Sequence, residues 1–98
     1  MSFRMKVYRV KGEVLVAVCD SDIVGKIFRE GELKIEVKES FYGTEEYGEE
    51  EVKRALRNAT IANITGKKAV ELAIKIGIID KNRVLRIGEC LHAQMVVM

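Results

Sequence analysis

The chain carries one histidine and one glutamine, and they stand two residues apart. They are His92 and Gln94 in "CLHAQMVVM", with Cys90, one of only two cysteines, just ahead of them. In an extended segment successive side chains alternate between faces, so Cys90, His92 and Gln94 share one side and Leu91, Ala93 and Met95 the other. A row of thiol, imidazole and carboxamide is a neutral surface able to donate and accept hydrogen bonds. An imidazole can also carry a proton near neutral pH, which makes His92 the candidate catalytic residue. An activated acid or base needs an oriented partner, and the local sequence supplies none. The row is therefore read as the polar wall of a binding crevice rather than a catalytic centre.

Metal and thiol chemistry are less well served. Cys90 and His92 with Cys19 make three potential ligands, but neither CxxC nor HxxxH spacing occurs, so no metal and no cofactor are expected. On a strand, side chains at positions i and i+2 stand ~6–7 Å apart, so Cys90 and His92 share a face without necessarily touching. Both cysteines lie in apolar runs, where an inert buried thiol is the ordinary outcome.

A second constellation is "NITGKKAVE", from Asn63 to Glu71. Thr65, Gly66, Lys67 and Lys68 stand where a short strand would give way to a helix, and a helix start with free N–H groups and two lysines can hold an anion. The GxxxxGK[ST] and GxGxxG spacings of nucleotide-binding loops are absent. Asn63, Thr65, Gly66, Lys67 and Lys68 thus join His92 and Gln94 as candidate ligand- or anion-binding residues. The competing reading is an ordinary cap with Thr65 as N-cap.

A third is "ESFYGTEEYG", where Phe41, Tyr42 and Tyr47 stand among glutamates. An exposed Phe41–Tyr47 loop would offer a protein-binding surface; buried, the same rings would close one end of the core. Elsewhere Arg4 and Lys6 share a strand face with Tyr8. Together with Tyr42, Lys67 and Lys68 they make the candidate nucleic-acid contacts, since local basic patches can hold RNA at low net charge.

These residues need a frame. "MKVYRV" and "VLVAVC" flank Lys11-Gly12-Glu13 as a hairpin, and the second run, apolar on both faces, predicts a central strand. "DSDIVGKIFREG" reads as punctuation with one helical turn. "ELKIEVK" reads as a half-exposed strand with Leu33, Ile35 and Val37 on one face, and "SFYGTEEYG" as a loop. A helix opening at Glu49 has the inner stripe Val52, Ala55, Leu56 and Ala59; a second has Ala69, Leu72, Ala73 and Ile76, with Gly77 as its stop. "TIANIT", "RVLRI" and "LHAQMVVM" read as strands, and Ile61 to Ile87 has the order of a βαβ unit. The expectation is a single α+β domain over residues 1–98: a mixed sheet of five to six strands with two main helices.

The segments "DSDIVGKIFREGELKIEVKESFYG", "TIANITGKKAVELAIKIGIID" and "HAQ" resemble a family of small, mostly archaeal proteins known as domain-of-unknown-function family 424. The resemblance runs from about Met5 to Val97 and departs at Leu91, where the family has proline before the histidine. It implies an archaeal, cytoplasmic housekeeping protein and carries no activity, catalytic residue or cofactor.

Composition sets the outer limits. Lys and Arg number 17 against 15 Asp and Glu, a net of +2 within 33% charged residues. That excludes the long-range basic field behind nonspecific nucleic-acid binding. One Gln, three Asn and no Pro among many Glu, Lys and Arg suggest a thermophilic source. No apolar run approaches the ~18 residues of a membrane span, so a cytoplasmic location and no membrane partner are expected. The functional expectation is a non-catalytic RNA- or ribonucleoprotein-binding module. Its alternatives are a small-molecule or anion pocket centred on His92 and the Asn63–Lys68 helix start, and a protein–protein adaptor; oligomeric state stays open.

Overall fold

The computed structural model describes residues 2–97. Strands β1 (Phe3–Val10) and β2 (Glu13–Asp20) form the expected hairpin, paired from Phe3↔Asp20 to Val10↔Glu13. Its turn places Lys11 and Gly12 at φ of +50° and +83°, a two-residue geometry whose twist matches that of the strands. β2 is central: Val16 to Cys19 are fully buried, with a neighbour on each side.

The middle of the chain holds more structure than its pattern suggests. After a 3₁₀ turn at Ser21–Ile23 come β3 (Ile27–Glu30) and β4 (Leu33–Glu36), which pair only with each other. The predicted half-exposed strand is present, but its face is not uniform: Val37 just beyond it is buried, while Leu33 remains 49% exposed. β3 escapes a pattern reading because its apolar pair, Ile27-Phe28, is too short beside the charges that follow. The expected loop over "SFYGTEEYG" is a one-turn helix α1 (Glu39–Tyr42) and a two-residue strand β5 (Glu46–Tyr47) against the start of β1. Pairing with β1, not local propensity, makes β5 a strand.

Helix α2 (Glu49–Arg57), strand β6 (Ile61–Thr65), helix α3 (Lys67–Lys75), a 3₁₀ turn at Lys81–Arg83 and strands β7 (Leu85–Ile87) and β8 (Cys90–Val96) complete the chain. The last strand, expected to reach Met98, is seen to Val96; Met98 lies outside the described residues. The six-stranded sheet runs β5-β1-β2-β6-β8-β7, with β2 and β6 parallel and every other pair antiparallel. β6 and β7 are each antiparallel to β8 between them, so they run parallel. The predicted βαβ unit exists as a split one, with β8 inserted.

Both long helices cover one face of the sheet. Val52, Leu56, Ala69, Val70 and Leu72 meet Val16, Val18, Ala62 and Ile64 in the main core. The β3–β4 hairpin and α1 cover part of the opposite face, where a smaller cluster joins Ala17, Cys19, Val37 and Tyr42. Because this second cover is partial, the β6–β8 end of that face is left open.

Candidate functional site: a crevice over His92

Register decides which side chains meet. Cys19, Thr65, His92 and Leu85 fall in one row across β2, β6, β8 and β7, and Ala17, Asn63 and Gln94 in the next. All face the small hairpin, away from the two long helices. The hairpin is tied down at its far end, where the Gly88 N–H donates to the Glu30 carboxylate at 2.8 Å. Gly88 sits at φ +62°, and a Cβ there would come 3.1 Å from the Arg29 carbonyl, so glycine suits both the backbone and the close approach of the two segments.

Beneath this cover lies a chain of hydrogen bonds. The Tyr42 hydroxyl donates to Asn63 Oδ1 at 2.6 Å, lies 2.7 Å from Thr65 Oγ1, and Thr65 Oγ1 lies 2.8 Å from His92 Nδ1. A proton count orders it. Tyr42 has one proton and gives it to Asn63, so the Thr65 hydroxyl must donate to Tyr42. Thr65 then has none left, so His92 must donate from Nδ1 and carry its lone pair on Nε2. Burial pushes the Tyr42 phenol up to about 12, with the Thr65 hydrogen bond opposing, so the phenol keeps its proton at neutral pH. Burial lowers His92 below its ordinary value, favouring the neutral ring.

The relay ends at an open crevice of about 500 Å³ lined by Lys34, Lys38, Phe41, Asn63, Ile87 and His92, with Glu36 between the lysines. Gln94 and Arg83 flank the other side of the imidazole in an adjoining hollow. Thr65 is 0% exposed and Tyr42, at 3%, only touches the crevice floor; together they hold His92 and Asn63 from below. Lys34 and Lys38 are not singled out by the sequence, and Phe41 only as part of a protein-binding loop, because nothing in the local pattern says that β3–β4 and α1 border the open β6–β8 end.

The helix-start half of the expected site lies elsewhere. The carboxylate of Asp20, at the end of β2, accepts from the N–H groups of Lys68 at 3.0 Å and Ala69 at 2.8 Å. It meets the α3 dipole from within the chain, and its burial raises its pKa against the pull of those two N–H groups. Gly66, at φ +109°, has Asp20 Cγ only 2.5 Å from where a Cβ would stand, so its glycine makes room for a carboxylate of the protein's own. Thr65 is not the N-cap: Gly66 takes that position, and Thr65 turns into the relay. Lys67 and Lys68 open α3; Lys68 borders a hollow on the helical side with Glu49 and Glu71, and neither lysine lines the crevice or the hollow beside His92.

Nor do the proposed nucleic-acid contacts make one surface. Arg4 is held by Glu46 at 2.7 Å and Glu39 at 3.3 Å, Lys6 lies over the Tyr8 ring, and Tyr42 is too buried to stack on a base. The aromatic loop also faces inward: Phe41 packs on Tyr8 and Tyr42, and Tyr47 against the main core. Both cysteines are buried, with burial pushing Cys19 up to about 12. Among the described residues no three His, Cys, Asp or Glu side chains stand where they could share a metal ion. None of their helices is long and apolar enough to cross a membrane.

The split βαβ sheet under a partial second cover defines a class of small α+β proteins already represented among solved structures. A crystal structure of an uncharacterized conserved protein from Methanopyrus kandleri superposes with a TM-score of 0.78 over 97% of this chain and 90% of that one, at 17% identity. Residues 8–98 match the family described as Protein of unknown function (DUF424), and the chain belongs to that family. No curated protein matches it.

Proposed function

We propose that the crevice over His92 binds a nucleotide, either free or as one residue of an RNA strand. The observation that carries this reading is the buried relay: two side chains, Tyr42 and Thr65, are committed to fixing one imidazole and one carboxamide at the edge of an open crevice. Fixed donors and acceptors beside an apolar wall are the ordinary make-up of a ligand site. Phe41 and Ile87 supply that wall, Asn63 and His92 the polar edge, and Lys34 and Lys38 the cations for a phosphate, with Glu36 limiting the charge. The near-balanced net charge suits a discrete pocket better than a polyanion track. Binding, not catalysis, is the role, since the partner that orients the imidazole is a threonine hydroxyl rather than a carboxylate that would activate it.

Titration of ¹⁵N-labelled protein with a mixture of the four nucleoside 5′-monophosphates, and separately with a single-stranded uridine tetranucleotide, tests this. Saturable amide shifts around Lys38, Phe41, Asn63 and His92 are expected, and the two arms separate a free ligand from a strand. Unmoved amides at millimolar concentrations of both probes would overturn the reading.

A further inference from the structure

Two strands away from β8, the sheet ends in an edge that β5 covers only in part. β5 pairs with β1 at Phe3 and Arg4 alone, so the outer side of residues 7–10 faces no strand. Register shows which peptide groups point there. Val14 turns its N–H to Thr60 Oγ1 at 2.8 Å and its carbonyl to the Thr60 N–H at 2.8 Å, away from β1. Val14 stands opposite Arg9, so the two form a non-hydrogen-bonded pair, and Arg9 turns its own N–H and C=O outward. Two residues back along the strand, Val7 does the same. No described loop takes up these four groups. Gly43 closes in on the Met5 carbonyl, so the open stretch begins beyond it.

We propose that this edge docks an extended, acidic peptide segment of a partner protein by strand addition. An added strand draws affinity from main-chain bonds and specificity from hollows that take its alternate side chains. One such hollow, of about 260 Å³, flanks the edge on the helical side, with Val7, Val16 and Ala55 as its apolar wall and Arg9 and Arg54 beside them. Its one acid, Glu51, accepts from the Gly48 N–H at 3.2 Å. Among the described residues neither arginine is in an ion pair, nor is Lys6, which lies over Tyr8 on the other face. β1 itself contains no acid, and Arg4, its remaining cation, is already held by Glu39 and Glu46. Charge therefore decides the occupant. A second copy pairing edge to edge would set Lys6 and Arg9 against the same cations, a repulsion that guards edges against self-pairing. A segment with carboxylates at alternate positions meets two guanidiniums instead.

Titration of ¹⁵N-labelled protein with a blocked heptapeptide of alternating valine and glutamate tests the proposal, beside its valine–lysine counterpart. Saturable shifts of the Val7 and Arg9 amides are expected, with their hydrogen exchange slowed at least tenfold at saturation. The lysine peptide should bind at least tenfold more weakly. Val7→Pro removes one outward N–H that the hairpin does not use, so it should keep the fold and lose the glutamate peptide. Arg9→Glu, which leaves the backbone alone, should weaken the glutamate peptide at least tenfold. Unmoved amides with both peptides would overturn the proposal, as would equal affinity for the two or undiminished binding by either variant. Concentration-dependent shifts of the same amides in the free protein would give the edge to a second copy, and shifts there with the uridine tetranucleotide alone would give it to RNA. Either result would also overturn it.

Discussion

Thr65 shows how much of this molecule turns on one side chain. It is fully buried, yet its hydroxyl stands within hydrogen-bond distance of both Tyr42 and His92, and the proton count has it donate to the first and accept from the second. Thr65→Val keeps the shape and removes both bonds, leaving buried polar atoms unpaired at a cost of about 1–3 kcal/mol. Urea denaturation should show that loss. His92 adds a pH dependence. Burial lowers its folded pKa below the ordinary 6.5, so below 6.5 the unfolded chain binds the proton more readily than the folded one. Stability should therefore fall as pH drops below 6.5 and show no His92 contribution well above it. Lys34 and Lys38 oppose the extra charge, and Glu36 favours it. Melting temperatures of wild type and His92→Gln between pH 5 and 8 would differ in slope only in the acidic part. At this scale the sequence was partly legible. His92, Gln94 and Asn63 stand out as rare polar residues in apolar strands, and their shared face follows from the two-residue period. Tyr42 was named as a contact, but its burial depends on a cover that no local pattern reveals.

The element that most needs its neighbours is α3. Its first turn was legible as a place for an anion; that the anion is Asp20 follows only from the parallel pairing of β2 with β6, which brings the two strand ends together. Asp20→Ala should cost about 1–3 kcal/mol by leaving two helix N–H groups without an acceptor. Gly66→Ala should be at least as damaging, since it adds a clash with Asp20 to a left-handed backbone that itself costs about 1–3 kcal/mol. Chemical denaturation of both variants measures the two effects. The hairpin β1–β2, the two long helices and the C-terminal strands were legible because each has a strong period or turn signal. β3, α1 and β5 were not, since each is short and held by contacts distant in sequence.

For the whole molecule, the two faces of the sheet divide the work. One is filled by α2 and α3 and supplies the main core; there Leu56→Ala should cost about 2–5 kcal/mol in denaturation. The other is closed only in part, and the open part is where the polar residues gather. Cation and acid numbers nearly cancel, and Arg4 and Lys53 are each paired with two glutamates, so the surface gives no broad field for a polyanion. The central claim is that a threonine and a tyrosine hold a neutral imidazole with its proton turned inward. Ring ¹⁵N shifts of the single histidine at neutral pH test it most directly. A protonated Nδ1 with a bare Nε2 is the predicted result, and Thr65→Val should lose that one-sidedness. A protonated Nε2 with a bare Nδ1, or an even mixture of the two in the wild type, would contradict it.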